Sequence, residues 1–222
     1  HSCRHILNLV NNLMDVYRIN ETRDTRNEIP FRLGSLLDNI SEEYARKAAG
    51  QALLFERCHE IVNNITVRGD ADKLEQILDN LLTNAIKFTP SGTVRFHTGY
   101  AEGRLHVEVG DTGIGMDRET LERVFRPFER AAQEINSEGF GLGLFITKGL
   151  VKVLDGNIDV ESRPGKGTIF RLTFPLPETT EDPETEEFQV QSAMVLPKRV
   201  LVVDDDSILL RITEDMLGRH GV

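Results

Sequence analysis

Asn80, Asn84 and Lys87 stand four and three residues apart in the segment Asn80-Leu-Leu-Thr-Asn84-Ala-Ile-Lys87. On a helix that spacing puts two carboxamides and an ammonium along one stripe. A carboxamide oxygen is a hard donor of the kind Mg2+ takes, and an ammonium neutralises phosphate charge, so the stripe suits a metal-bound polyphosphate. It equally suits the solvated edge of a core helix, and the segment alone does not decide between the two.

Three more segments follow in order. Asp111-Thr-Gly113-Ile114-Gly115 comes directly after a strand-like run. A carboxylate at a strand end can accept from an exocyclic amine such as adenine N6, and glycines let backbone approach a flat ring; a plain turn after a strand would look the same. Gly139-Phe-Gly141-Leu142-Gly143-Leu144 precedes a helix pattern, where free backbone amides attract phosphate, although a flexible loop capped by a helix reads alike. Its spacing is neither the dinucleotide fingerprint nor a P-loop. Gly165-Lys-Gly167-Thr168 is either a hairpin turn or a turn whose Thr hydroxyl assists base binding. Between the second and third segments, Val124-Phe-Arg126-Pro-Phe-Glu-Arg130 runs into a small, polar stretch from Ala131 to Gly139. That composition is expected of a lid. Arg126 and Arg130 either reach phosphates from it or are surface charge. Each segment is weak alone. Together, in this order, they outline a pocket for Mg2+ and ATP and imply phosphoryl transfer.

The elements that position these residues are predicted from periodicity. Residues 70–88 carry the strongest helix pattern, with Leu74, Ile77, Leu78, Leu81, Leu82 and Ala85 as its buried face and Asp70 or Asp72 as its cap. Leu36, Leu37, Ile40 and Tyr44 predict another helix, and Leu142 to Leu154 a third. Thr93–Tyr100 and Leu105–Val109 alternate as half-buried antiparallel strands around a turn at Glu102-Gly103, and Gly156–Val160 and Thr168–Phe174 read as two more. The mix predicts an α+β fold, a two-layer α/β sandwich.

The flanks differ in character. Residues 1–25 show a helical stripe through Ile6, Leu9, Val10, Leu13, Met14, Val16 and Tyr17. It suits either a helix packing on its own domain or one of a dimeric bundle. Domain 26–177 is followed by a linker over 178–197, rich in Glu, Thr and Pro. After it, Val200–Val203 and the acidic run Asp204-Asp205-Asp206 read as a buried parallel strand opening an α/β unit over 198–222. The 222 residues therefore look like a piece of a longer protein. A net charge of -10 argues against a general nucleic-acid surface. Two cysteines, Cys3 and Cys58, without a CxxC pair, give no disulfide framework or zinc site.

The four segments and the Phe-rich stretch, over residues 28–176, resemble the catalytic domain of sensor histidine kinases, whose fold is the Bergerat type: a mixed, mostly antiparallel sheet packed on helices under a nucleotide lid. The resemblance implies an ATP-binding domain of a hybrid kinase in two-component signalling. It implies Asn84 as Mg2+ ligand, Asn80 and Lys87 as supports of the metal–phosphate site, and Asp111 as the adenine reader, with Gly113 and Gly115 beneath the ring. Gly139, Gly141, Gly143 and Leu144 would form lid hinge and phosphate cradle, with Phe140 a departure from the small or polar residue usual there. Residues 1–25 resemble the second helix of the dimerisation and phosphoacceptor hairpin, which implies a homodimer. Residues 198–222 resemble the start of a receiver domain, with Asp204 and Asp205 as its Mg2+ pair. His1 and His5 lack the acidic neighbour and the proline of the family's phosphoacceptor, so that histidine is expected on a preceding helix of the same protein. A cytoplasmic location, with a membrane anchor only upstream, follows from the same resemblance. A non-enzymatic scaffold is disfavoured by the intact segments, and another ATPase of this fold by the two flanks.

Overall fold

Asp70 fixes the start of the helix on which the fold is built. Its carboxylate accepts from the Lys73 amide at 3.1 Å, capping the helix Ala71–Lys87, and from the Asn27 amide at 2.9 Å. Lys73 Nζ also reaches it at 2.9 Å, with the Asp70 side chain 2% exposed. In this computed structural model residues 26–60, 65–128 and 141–183 are described. In chain order they form β1 (Ile29–Arg32), α1 (Leu33–Ala49), β2 (Leu54–Glu60), β3 (Thr66–Gly69), α2 (Ala71–Lys87), β4 (Thr93–Ala101), β5 (Arg104–Asp111), α3 (Arg118–Arg123), α4 (Gly143–Val153), β6 (Asn157–Arg163) and β7 (Gly167–Pro175).

Burial alone would raise the Asp70 pKa, but the Asn27 amide and the Lys73 ammonium and amide outweigh it and hold the carboxyl below its ordinary range. A depressed carboxyl contributes stability above its unfolded pKa, and that contribution is lost as pH falls through the folded one. Asp70→Ala is therefore expected to lower stability by about 1–2 kcal/mol at pH 7, as loss of a helix cap does. The gap should narrow in denaturant melts taken below the ordinary carboxylate range.

Every residue of the expected apolar face of α2 is buried, from Leu74 to Ala85, together with Ile86. Tyr44 on α1 donates to the Asp79 carbonyl at 3.0 Å and shares a 2.9 Å hydrogen bond with Thr83, which locks α1 to α2. These helices and α4 cover one face of a five-stranded sheet ordered β2-β4-β5-β7-β6. Val94, Phe96, Leu105, Val107, Val109, Phe170, Leu172 and Phe174 point into the core from it. All pairings are antiparallel except β2 with β4. The open face carries polar partners, among them Arg171 bridging Glu108 at 2.9 Å and Glu161 at 2.8 Å. This is the two-layer, mostly antiparallel sandwich that the sequence predicts.

The structure adds strands that periodicity does not reveal. β1 and β3 pair in a separate two-stranded sheet, and β2 edges the main one. β6 runs to Arg163, past the expected end at Val160. The first residues of the expected linker are also tied down: Val67 bridges Glu178, Thr179 donates to the Thr66 carbonyl at 3.0 Å, and Arg68 ion-pairs with Glu181. They extend the β3 edge because its backbone groups need partners there. The chain divides into units 1–184 and 185–222. The second unit, with the expected strand at 200–203 and the Asp204–Asp205 pair, lies outside the described residues, as do the helix expected at 1–25 and residues 129–140, which include the lid expected over 131–139 together with Arg130, Gly139 and Phe140.

Candidate nucleotide site

Three pieces of chain meet around Asp111, the last residue of β5. They are the end of α2, the loop 112–116 and the β6–β7 hairpin. Asp111 is buried, and its Oδ1 accepts from the Gly113 amide at 2.8 Å and the Thr168 amide at 3.3 Å. Ile114 donates to the Phe88 carbonyl at 3.1 Å, which joins the loop to the end of α2. Gly165 donates to the Ile114 carbonyl at 2.7 Å, and Met116 donates to Ser162 Oγ at 2.8 Å, which joins the loop to the hairpin. Asp111, Gly113, Ile114, Gly115 and Thr168 are thus brought together.

Burial raises the Asp111 pKa; the two amides and the charge of Arg95 pull against it without cancelling it. Arg95 lies on β4 opposite Gly110, and its guanidinium packs over that glycine. A carboxylate held in such surroundings is a pattern of functional sites, because the fold tolerates its desolvation rather than gaining from it.

The glycines of the loop are needed first by the protein's own backbone. A Cβ on Gly113 would lie 2.1 Å from the Phe88 carbonyl oxygen, and one on Gly115, at φ +64, would lie 2.0 Å from the Arg163 carbonyl oxygen. Both positions are closed to any side chain before a ligand is considered.

Asn80 and Asn84 occupy the C-terminal half of α2, both half-buried, and Lys87 is exposed with its ammonium 4.8 Å from the Phe88 ring centre. Asn80 donates through Nδ2 to Thr147 of α4 at 2.7 Å, and its Oδ1 lies where a Cβ on Gly143 would come within 2.4 Å. Asn80 therefore fastens the start of α4 to α2, and its carboxamide comes close to Gly143. Thr147, buried on α4, is a partner that the motif reading missed; a polar residue on the apolar face of a helix was its only signal. Asn84 makes no side-chain hydrogen bond among the described residues, so its carboxamide stays available. Leu142 is the N-cap of α4 and offers no side-chain cap bond. It is buried, and Leu144 is half-buried against the core. Gly141, at φ +68, accepts from the Phe128 amide at 2.9 Å. Arg126 is exposed, and among the described residues its guanidinium makes no hydrogen bond or ion pair with the other site residues. No helix of the described residues is long and apolar enough to cross a membrane.

Residues 69–178 match the family of histidine kinase-, DNA gyrase B-, and HSP90-like ATPases, and through this segment the chain belongs to it. The chain is 33% identical over 218 residues to the autoinducer 2 sensor kinase/phosphatase LuxQ of Vibrio parahaemolyticus, covering 93% of this chain and 25% of that protein. It is 30% identical over 228 residues to the sensor histidine kinase GacS of Pseudomonas protegens, covering 100% of this chain and 24% of the relative. Full-length ShkA, solved in complex with AMPPNP, superposes with a TM-score of 0.68 at 27% identity, over 79% of this chain and 36% of that one. Within the ATPase family the chain is thus a sensor histidine kinase catalytic domain, and it spans about a quarter of the length of the curated relatives it matches.

Proposed function

We propose that this chain binds Mg-ATP and, in the full-length protein, presents the γ-phosphate to a histidine of a hybrid two-component kinase. The observation that carries the reading is Asp111: a buried carboxylate whose Oδ1 is held by two backbone amides, leaving Oδ2 to accept from the adenine amine. Gly113, Ile114 and Gly115 line the base, and Thr168 stands beside Asp111. The first amides of α4, which lack a capping side chain, together with Gly139, Gly141 and Gly143, receive phosphate oxygens.

The donor set fits Mg2+. Asn84 would supply one hard oxygen, which suits an ion that usually keeps several waters and is held by few protein ligands. When bound, the ion neutralises charge that develops on the transferred phosphoryl group. Asn80 positions α4 against α2, Lys87 adds positive charge at the end of α2, and Arg126 and Arg130 are the lid cations. The histidine nitrogen then attacks the γ-phosphorus, the bond to the bridging oxygen breaks, and ADP leaves. The phosphoryl group would pass on to a receiver aspartate further along the full-length protein, with Asp204 and Asp205 as the residues that would hold that receiver's metal. The same reading makes the protein a homodimer through a hairpin that includes residues 1–25. It makes the chain a cytoplasmic part of a bacterial sensor anchored upstream.

Calorimetric titration of the chain with ADP, with and without Mg2+, tests the pocket. ADP should bind in both conditions and more tightly with the metal. Asn84→Ala should erase the Mg2+-dependent gain, by about tenfold or more, since even an outer-shell partner costs a metal site that much. Metal-free binding should stay within about twofold of wild type, because no adenine contact is touched. Absence of ADP binding would overturn the pocket. An undiminished Mg2+ effect in the variant would overturn the role of Asn84.

A further inference from the structure

Ser162 on β6 belongs to none of the nucleotide segments, yet its hydroxyl sits at the centre of three contacts. Met116 N donates to it at 2.8 Å, the Gly167 carbonyl oxygen lies at 3.0 Å, and Thr168 Oγ1 lies at 2.9 Å. A serine hydroxyl has one proton and two lone pairs. The Met116 amide takes one lone pair. The Gly167 carbonyl can only accept, so its contact is a hydrogen bond only if Ser162 donates to it. If Ser162 donated to Thr168 instead, two oxygens would face each other at 3.0 Å with no proton between them. The arrangement that satisfies all three contacts sends the Ser162 proton to Gly167 and leaves its second lone pair for the Thr168 hydroxyl.

The consequence falls on Thr168. Its proton is committed to Ser162, so toward any ligand beside Asp111 its oxygen offers lone pairs alone. Asp111 when ionised also offers only acceptors. We propose that Ser162 sets the direction of the Thr168 hydroxyl and so makes the base pocket select a purine that carries an exocyclic amine over its 6-oxo counterpart. This rests on the nucleotide reading above and adds to it the residue that gives the pocket its hydrogen-bond polarity. Ser162 touches no ligand itself; it acts through Thr168 as a positioning residue.

The 6-oxo probe is inosine diphosphate (IDP), which keeps the ribose and phosphates of ADP, replaces the 6-amine by a carbonyl and turns ring N1 from an acceptor into an N–H donor; the polarity set by Ser162 acts on the 6-position, which Thr168 would face. The wild-type chain should prefer ADP over IDP by about a hundredfold or more, as sites built to hydrogen-bond a ligand group reject the analogue lacking it. In Ser162→Ala the Thr168 proton is released, its hydroxyl can donate to a carbonyl, and the preference should shrink by about tenfold, the scale of one hydrogen bond. Ser162→Cys, nearly the same size but a weak hydrogen-bonding group, should shrink it too, and Ser162→Thr should restore it. The ratio separates polarity from mere support, because loosening the loop 112–116 would weaken ADP and IDP together. A wild-type ratio in both Ser162→Ala and Ser162→Cys, or a parallel loss of both ligands, overturns the proposal while the pocket stands. Should Ser162→Ala not fold, the Ser162→Cys ratio decides alone. If the wild-type chain bound neither nucleotide, the pocket would fall and this proposal with it.

Discussion

Asp111→Asn is expected to remove ADP binding while leaving the chain as stable as wild type, or slightly more so. The Gly113 and Thr168 amides both address Oδ1. A carboxamide at position 111 must turn its oxygen to that side to keep both bonds. Its NH2 then stands where Oδ2 stood, and a donor faces the donor amine of adenine. A mismatch of that kind in a site built for hydrogen bonding should cost about a hundredfold or more in affinity.

The stability arm has a definite sign. Burial raises the Asp111 pKa, partly offset by the two amides and Arg95. A carboxyl whose folded pKa lies above its unfolded one favours folding fully below the unfolded value, and loses that contribution as pH rises through the folded value. At pH 7 the ionised Asp111 is a cost to the fold, and the neutral carboxamide removes it. Thermal melts at pH 7 should put Asp111→Asn at or above wild type, with the difference closing on acidification. ADP binding by wild type should weaken as pH falls through the raised pKa, at a higher pH than an ordinary carboxylate would give. An Asp111→Asn variant that binds ADP within about threefold of wild type, less than one hydrogen bond is worth, would sink the assignment of Asp111 as the base reader.

How much of this was legible in the sequence depends on how local each cause is. The helix α2 was legible because its apolar spacing and its Asp70 cap lie within one segment, and β4 and β5 were legible because each alternates and the Glu102–Gly103 turn joins them. In that turn both residues take positive φ, at +53 and +71, which the right-handed twist of the paired strands favours. Leu54–Glu60 was not legible. As an edge strand it exposes Leu54, Glu56, Arg57 and Cys58 and lacks the alternation of a strand buried on one face. β1 and β3 are four residues each, too short for a period to show. Asp111 could be named from its place after a strand, but the role of Ser162 depends on its meeting Met116, 46 positions away. The reason for Gly113 was equally hidden, since the Phe88 carbonyl that excludes a side chain there belongs to another element.

The glycine pair of the β6–β7 turn tests whether that hidden packing or backbone freedom alone governs the site. Gly165 and Gly167 both sit at positive φ, +69 and +85, so alanine at either adopts a left-handed conformation at a cost of about 1–2 kcal/mol. They differ in what a Cβ would meet. At Gly165 nothing lies within 4 Å, whereas at Gly167 it would fall 1.8 Å from the Asp111 carbonyl oxygen and 2.6 Å from its carbon. Those are backbone atoms of the central strand β5, and no rotamer change relieves the clash. The hairpin itself must move, and with it the Thr168 amide that holds Asp111. Gly165→Ala should therefore cost only the conformational strain and bind ADP like wild type. Gly167→Ala should cost about 3 kcal/mol or more and lose ADP even in the fraction that folds. A domain of this size should melt about 5 °C or more lower for Gly167→Ala than for Gly165→Ala. Equal melting points would mean that the turn needs only flexible residues. Unequal ones, with ADP lost in Gly167→Ala alone, would show that the base site is shaped by how closely two backbones approach behind Asp111.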